Sequence, residues 1–339
     1  MLNKIKETKS NKNILKKTKF KILLSTTVRH RLKRVFSFNT LICIIICYLM
    51  LALVISPAHY INSADEGILL WANNLLPALL PFFILTKLLM EIDILEPATR
   101  IFAPVMRKLF GTNSSSSYLF VIAILSGYPV GSKIATDAYN SSKITYTELH
   151  RLITFTSVSG PLFIIGTVGI NMLTNSICGY IILASHIISA IINGICFRNY
   201  SPKKEYEIKT ESSKSHPKSI LTTAVKSSVD AILLIGGLVC LFYVAMDAVS
   251  SLITIPPILQ GIIEITKGCY EISILDISLE LKTLLCTGII TFGGFCIHAQ
   301  AMYFLKECNV SYKFFFLQKL TQTIFALITC TIILFFVRF

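Results

Sequence analysis

Residues Leu125–Lys133 read LSGYPVGSK, directly after the apolar run YLFVIAI at Tyr118–Ile124. In hydrocarbon an unpaired backbone N–H or C=O costs several kcal/mol, so irregular backbone persists there only where protein or a watery cavity shields it. Gly127 and Gly131 permit turns that other residues resist, and Pro129 ends the incoming helix. A helix restarting near Gly131 presents free N–H groups and the positive end of its dipole. Lys133 would sit in its first turn, where a cation opposes the dipole unless an anion offsets it, and that is the chemistry of an anion site. The structural alternative is that Lys133 pairs with Asp137 one turn later, or extends to an interface. The residues alone leave both open.

Two further stretches carry similar chemistry. SVSGP at Ser157–Pro161 offers the hydroxyls of Ser157 and Ser159 beside a second break made by Gly160 and Pro161. GGFCIHAQ, from Gly293 and Gly294 through His298 to Gln300, places donors and acceptors at a third break. With Ser126, Gly127, Tyr128, Pro129, Gly131 and Lys133, these are the candidate substrate-binding residues. Breaks at corresponding places in two membrane halves mark a transporter site near the bilayer midplane. Asp247, isolated in an apolar run, is a further candidate, since an intramembrane acid is costly. His186 has no His, Cys or carboxylate at helical spacing, so it reads as a hydrogen-bonded bundle residue.

Catalysis is poorly supported. Ser126 or Ser132 with Lys133 lacks a third group to position either, and neighbours on a helix do not face each other. No HExxH, paired-carboxylate, Walker A or metal-ligand pattern occurs, so no enzyme, metal or cofactor is expected.

The elements that must hold these residues are membrane helices. Residues are 53% hydrophobic and 15% charged, against roughly 25% charged in soluble domains. Of the net charge of +14, most comes from residues 1–34, where twelve basic residues face one acid, Glu7. That tail reads as a cytoplasmic anchor near anionic lipid, not a nucleic-acid arm, because no accompanying fold or aromatic platform supports one. The run 35–56 reads as an uncleaved first span. Twenty uncharged residues between Glu66 and Lys87 contain Pro77 and Pro81 and suggest a kinked or broken helix. Ile92–Leu109 is amphipathic and suits an interface, and the 46 uncharged residues between Arg151 and Arg198 accommodate two passes. The hydrophilic linker 198–219, with six basic and three acidic residues, divides a first membrane half (35–197) from a second (220–339) and is expected to be cytoplasmic. Residues 256–282 carry four acids and two lysines, fitting the opposite side, and a last span is expected over 320–337. The ten cysteines show no CxxC and mostly lie in apolar runs, as small buried hydrophobes do.

The halves can be superposed with an offset of 166 residues, which places Gly127 on Gly293 and Tyr146 on Tyr312. The expected fold class is thus an all-α polytopic membrane protein of two repeated halves with re-entrant or broken helices.

LLPALLPFFILTKLL (75–89), LSGYPVGSKIATD (125–137) and FTSVSGPLFIIGTVG (155–169) resemble the sporulation membrane proteins of the nucleoside-recognition Gate domain family. The resemblance runs from about Val35 to the C-terminus; the lysine-rich tail departs from it. It implies gate halves similar to those of concentrative nucleoside transporters, and a multi-pass location in the outer forespore membrane, on the mother-cell side. It also implies movement of dipicolinic acid, pyridine-2,6-dicarboxylate, a small aromatic dianion that would be bound near Lys133 and could stack on Tyr128. Lipid is the implied surrounding, and a homo-oligomer or other sporulation membrane proteins are the implied partners. Carriage of a nucleoside or other small solute, and a non-transporting spore-assembly scaffold, remain the alternatives.

Overall fold

The computed structural model describes residues 38–92, 100–203 and 220–337. The basic tail, most of the hydrophilic linker and part of the expected interfacial segment lie outside them. The described chain is helical throughout. It divides into two units, Met1–Ile61 and Asn62–Phe339. The first holds α1 (Phe38–Ile55) and the start of α2 (Pro57–Leu70). All candidate site residues belong to the second.

Where the sequence suggested a kinked or broken helix before Lys87, the chain stays helical from α2 through a wide π turn at Trp71–Leu75 into α3 (Leu76–Ile92). Pro77 has no N–H to give to the preceding turn, and widening the helix there absorbs the missing bond without breaking the rod. Trp71 Nε1 donates to the Ile232 carbonyl at 3.0 Å and fixes the turn against a later helix.

A short α4 (Ala103–Phe110) precedes α5 (Ser115–Ser126), α6 (Val130–Asn140) and α7 (Tyr146–Thr156). The wide helix α8 (Leu162–Met172) and the straight span α9 (Ser176–Cys196) complete this half. After the linker come α10 (Ile220–Ser250), the small helices α11 (Pro257–Ile263) and α12 (Ile265–Ser273), then α13 (Leu279–Phe292), α14 (Gly294–Glu307) and α15 (Tyr312–Phe336). Among the described residues four stretches are long and apolar enough to cross a membrane: Ser176–Cys196, Ile220–Ser250, Leu279–Glu307 and Tyr312–Phe336. Bent pairs, including Arg100–Phe110 with Ser115–Ser126 at 82°, raise the number to as many as six. The protein is an all-helical, multi-pass integral membrane protein.

The offset of 166 residues reappears in local geometry. Gly127 and Gly293 both end a helix at positive φ, 77° and 91°. Thr145 and Ser311 both cap the helix that begins at the matching tyrosine, accepting from Glu148 N and Phe314 N. The breaks nevertheless differ. Gly127, at ψ −165°, turns the chain so that α5 and α6 pack on each other. Gly293, at ψ −4°, leaves α13 and α14 running on as one 29-residue span. Likewise α7 stops at Thr156, whereas its counterpart α15 continues unbroken for 25 residues.

Helix α15 is patterned for lipid. Leu317, Leu320, Ile324, Ile328 and Ile332 recur at helical spacing and are exposed, while Gln318, Lys319 and Gln322 are fully buried. That reverses the amphipathic order of a helix in water, and it follows because lipid solvates the apolar stripe while polar groups find partners only inside the bundle. Helix α9 carries the complementary stripe, Cys178, Ile182, His186 and Ala190 at intervals of four, all buried. Its first two members belong to one apolar cluster with α8, α12 and α13, and Ala190 belongs to a second with α5, α6 and α7. His186 stands at the step between them.

A midplane centre of three chain breaks

The three glycine-bearing motifs meet, two of them through bare backbone. A Cβ placed on Gly127 would lie 2.2 Å from Gly160 N, and one on Gly131 would lie 1.9 Å from the Thr156 carbonyl oxygen. Glycine at these positions serves close approach as well as turning: only a residue without a side chain lets SGYPVG lie against TSVSGP. The Gly293 break reaches them through Tyr128, whose ring carbon Cζ is 3.6 Å from the Gly293 Cβ direction and whose hydroxyl donates to the Thr291 carbonyl at 3.3 Å.

At this junction lies a residue that hydropathy had left outside the last span. The Lys319 ammonium is fully buried and donates to Tyr128 Oη at 2.5 Å, to the Ser157 carbonyl at 2.9 Å and to Gln322 Oε1 at 2.8 Å. It also lies 4.9 Å from the Tyr128 ring centroid. Among the described residues no carboxylate pairs with it. The Ser157 carbonyl belongs to the C-terminal cap of α7, the negative end of that helix dipole, so a cation from unbroken α15 occupies the gap left by broken α7. Ser157 Oγ and Gln322 Nε2, both buried, find no hydrogen-bond partner among the described residues.

His186 completes the centre. Its Nε2 accepts the Ser159 backbone N–H at 2.8 Å, so the ring proton is on Nδ1, 2.9 Å from Thr291 Oγ1. This is the hydrogen-bonded bundle role its sequence context suggested. His186 is ten residues from either end of α9, a helix about 31 Å long at 1.5 Å per residue, which matches the hydrocarbon thickness. The centre therefore lies level with the middle of this candidate span.

The remaining candidates are placed elsewhere or act locally. Lys133 is buried, but its ammonium contacts Asp137 Oδ2 at 3.0 Å and Ser227 Oγ at 3.3 Å, and Lys87 reaches the same carboxylate oxygen at 3.5 Å. Pairing with Asp137 was the structural alternative. The N–H groups at the start of α6 are largely used as well: Val130 bonds the Gly127 carbonyl, and Ser132 and Lys133 bond that of Pro129. Ser126 Oγ donates back to the Ile122 carbonyl. Pro129 caps α6 and Pro161 caps α8. Gly294 packs against the α11–α12 turn. His298 spans the third break locally, donating from Nε2 to the Phe292 carbonyl at 2.9 Å, and Gln300 donates to Cys296 Sγ at 3.3 Å. Asp247 accepts from Ser63 Oγ at 2.5 Å. The structure thus brings Gly127, Tyr128, Gly131, Ser157, Ser159, Gly160 and Gly293 together, adds His186, Thr291, Lys319 and Gln322, and gives Lys133 a separate set of partners.

Residues 72–175, from the π turn through α8, match the Gate family, described as nucleoside recognition. Both SGYPVG and TSVSGP fall inside that stretch. The chain is a homologue of the sporulation integral membrane protein YlbJ of Bacillus subtilis (strain 168), 29% identical over 330 residues that cover 85% of this chain and 81% of the relative. No solved structure matches it.

Proposed function

We propose, from homology to a sporulation integral membrane protein and from its Gate region, that this protein is a sporulation transporter of a small anion, with dipicolinate as the substrate. The observation that carries the reading is Lys319. A buried lysine held by neutral acceptors alone pays to keep its charge, and an anion arriving beside it supplies the counter-charge that favours the ammonium. The free donors of Ser157 and Gln322 flank the same point and suit carboxylate oxygens. Tyr128 offers a ring face beside them. Lys133 and Lys87 both reach Asp137, and that cluster serves as a second contact on the anion's route. The setting is the outer forespore membrane of the mother cell, where the dianion moves towards the spore. The two halves act as repeated gates whose breaks converge on the site.

A second reading, carriage of a nucleoside, is favoured by the family description and by the neutral amides of Asn193, Gln318 and Gln322 near the centre. Purified protein in liposomes, offered labelled dipicolinate or labelled uridine, separates the readings, with Lys133→Ala measured alongside. Saturable dipicolinate flux with uridine at background supports the anion carrier, and a reduced rate in the Lys133 variant supports the second contact. The reverse preference favours the nucleoside carrier. Absence of both fluxes from folded protein points to a scaffold.

A further inference from the structure

A groove of about 470 Å³ lies along α14 and the start of α15. Phe295, Ala299, Met302 and Val310 give it apolar walls, and Lys306 stands at one end. Phe295 and Tyr312 are 39% and 43% exposed, so in a bilayer the groove faces acyl chains. Its length is informative. Phe295 follows the midplane break at Gly293, and Lys306 is eleven residues further on, in the last turn of α14. At 1.5 Å per residue that is about 16 Å, half of the ~30 Å hydrocarbon core. The groove thus spans one leaflet, with its cation at headgroup depth.

The end of the bundle to which Lys306 belongs is marked by charge. Tyr146 Oη donates to the Asn309 carbonyl beyond α14, and Tyr200 packs on Phe314 at 4.5 Å. Arg151 donates to the carbonyls of Tyr200 and Gly111, and Arg198 to that of Lys108. These contacts gather Arg107, Lys108, Arg151, Arg198 and Lys306 at one end, which the positive-inside rule assigns to the cytoplasm. The Lys306 ammonium makes no hydrogen bond or ion pair with any described residue.

We propose that the groove binds one anionic phospholipid of the cytoplasmic leaflet, with its phosphate at Lys306 and an acyl chain running past Met302 and Ala299 to Phe295. An exposed cation at headgroup depth supplies the charge complementarity, and a one-leaflet apolar channel supplies the length. The occupant is a lipid, not the transported solute, because the walls are mostly apolar and their polar members, His298 and Tyr312, bond each other and the Phe292 carbonyl, which leaves Lys306 as the cation the groove presents.

The test is native mass spectrometry of the purified full chain titrated with phosphatidylglycerol or phosphatidylcholine of the same acyl chains. One added lysine–phosphate contact near a surface predicts roughly fivefold tighter phosphatidylglycerol binding. That preference should vanish in Lys306→Gln and return in Lys306→Arg. Ala299→Phe should weaken both lipids by blocking the channel. Equal binding of the two lipids to wild type, or a preference unchanged in Lys306→Gln, overturns the proposal. Displacement of the lipid by dipicolinate would also overturn it, by making the groove part of the solute path. Lys306 is exposed and unpaired, so its variants keep the fold and the result stays decisive.

Discussion

Replacing Lys319 by Met keeps the side-chain length and removes the charge with its three donated bonds. Three acceptors, Tyr128 Oη, the Ser157 carbonyl and Gln322 Oε1, are then left buried, at about 1–3 kcal/mol each. Against this, the desolvation of a buried ammonium, itself several kcal/mol, is relieved. The two nearly offset, so stability should move by no more than roughly 3 kcal/mol in either direction and the variant should insert and fold. Transport has no such compensation. Truncating one partner of a buried charge pair costs about 2–5 kcal/mol, which is roughly 30- to 5,000-fold in apparent affinity. The assay is initial uptake of labelled dipicolinate into proteoliposomes far below saturation, with thermal unfolding of the same preparation as the control. A folded Lys319→Met protein that moves dipicolinate within threefold of wild type would refute the assignment of Lys319 as the anion contact.

Two other perturbations follow from the same geometry. Gly131→Ala should give no folded protein, because its Cβ would sit 1.9 Å from the Thr156 oxygen, whereas Gly237→Ala, with nothing within 4 Å, should raise stability by roughly 0.5–1 kcal/mol, both read from the melting of detergent-purified protein. Asp137→Asn strips the shared acid from Lys87 and Lys133 and should destabilise more than Lys133→Met does; in the double variant a coupling of about 1–3 kcal/mol should appear in a thermodynamic cycle, and additivity within 0.3 kcal/mol would show the pair to be inert.

The breaks were legible in the sequence because glycine and proline interrupt apolar runs only for a physical reason, and SGYPVG, SVSGP and the Gly293 region each end a helix where they were expected to. Their meeting was not legible: Gly131 against Thr156, and Tyr128 against Thr291, are contacts between segments remote in the chain. Lys319 was missed for a more instructive reason. Hydropathy places a charge at the end of a span and so starts the last span at Leu320, and yet α15 begins at Tyr312 and carries the lysine two turns inside. A signal was present. Gln318, Lys319 and Gln322 lie on the face opposite Leu317, Leu320, Ile324 and Ile328, an inverted moment that marks the helix as lipid-facing on one side and polar within. Lys133, by contrast, stood out beside the glycines, and its helical partner Asp137 was visible four residues on.

The contact between the first two breaks constrains how the molecule can move. Interfaces built of side chains slip by exchanging rotamers. Where main chain rests on main chain, as at Gly127, Gly131 and Gly160, there is nothing to rotate, and a slip of a fraction of an ångström makes atoms collide. Those two elbows must travel as a single block. On the proposed transporter reading, the parting line of a rocking motion would be the far side of that block, where it is fastened to α13 and α15 by Tyr128 on Thr291 and by Lys319 on Ser157. On the proposed anion reading the lysine would act as a latch: an anion that drew its Nζ away from the Ser157 carbonyl would unhook α7 from α15 and couple occupancy of the centre to release of the block.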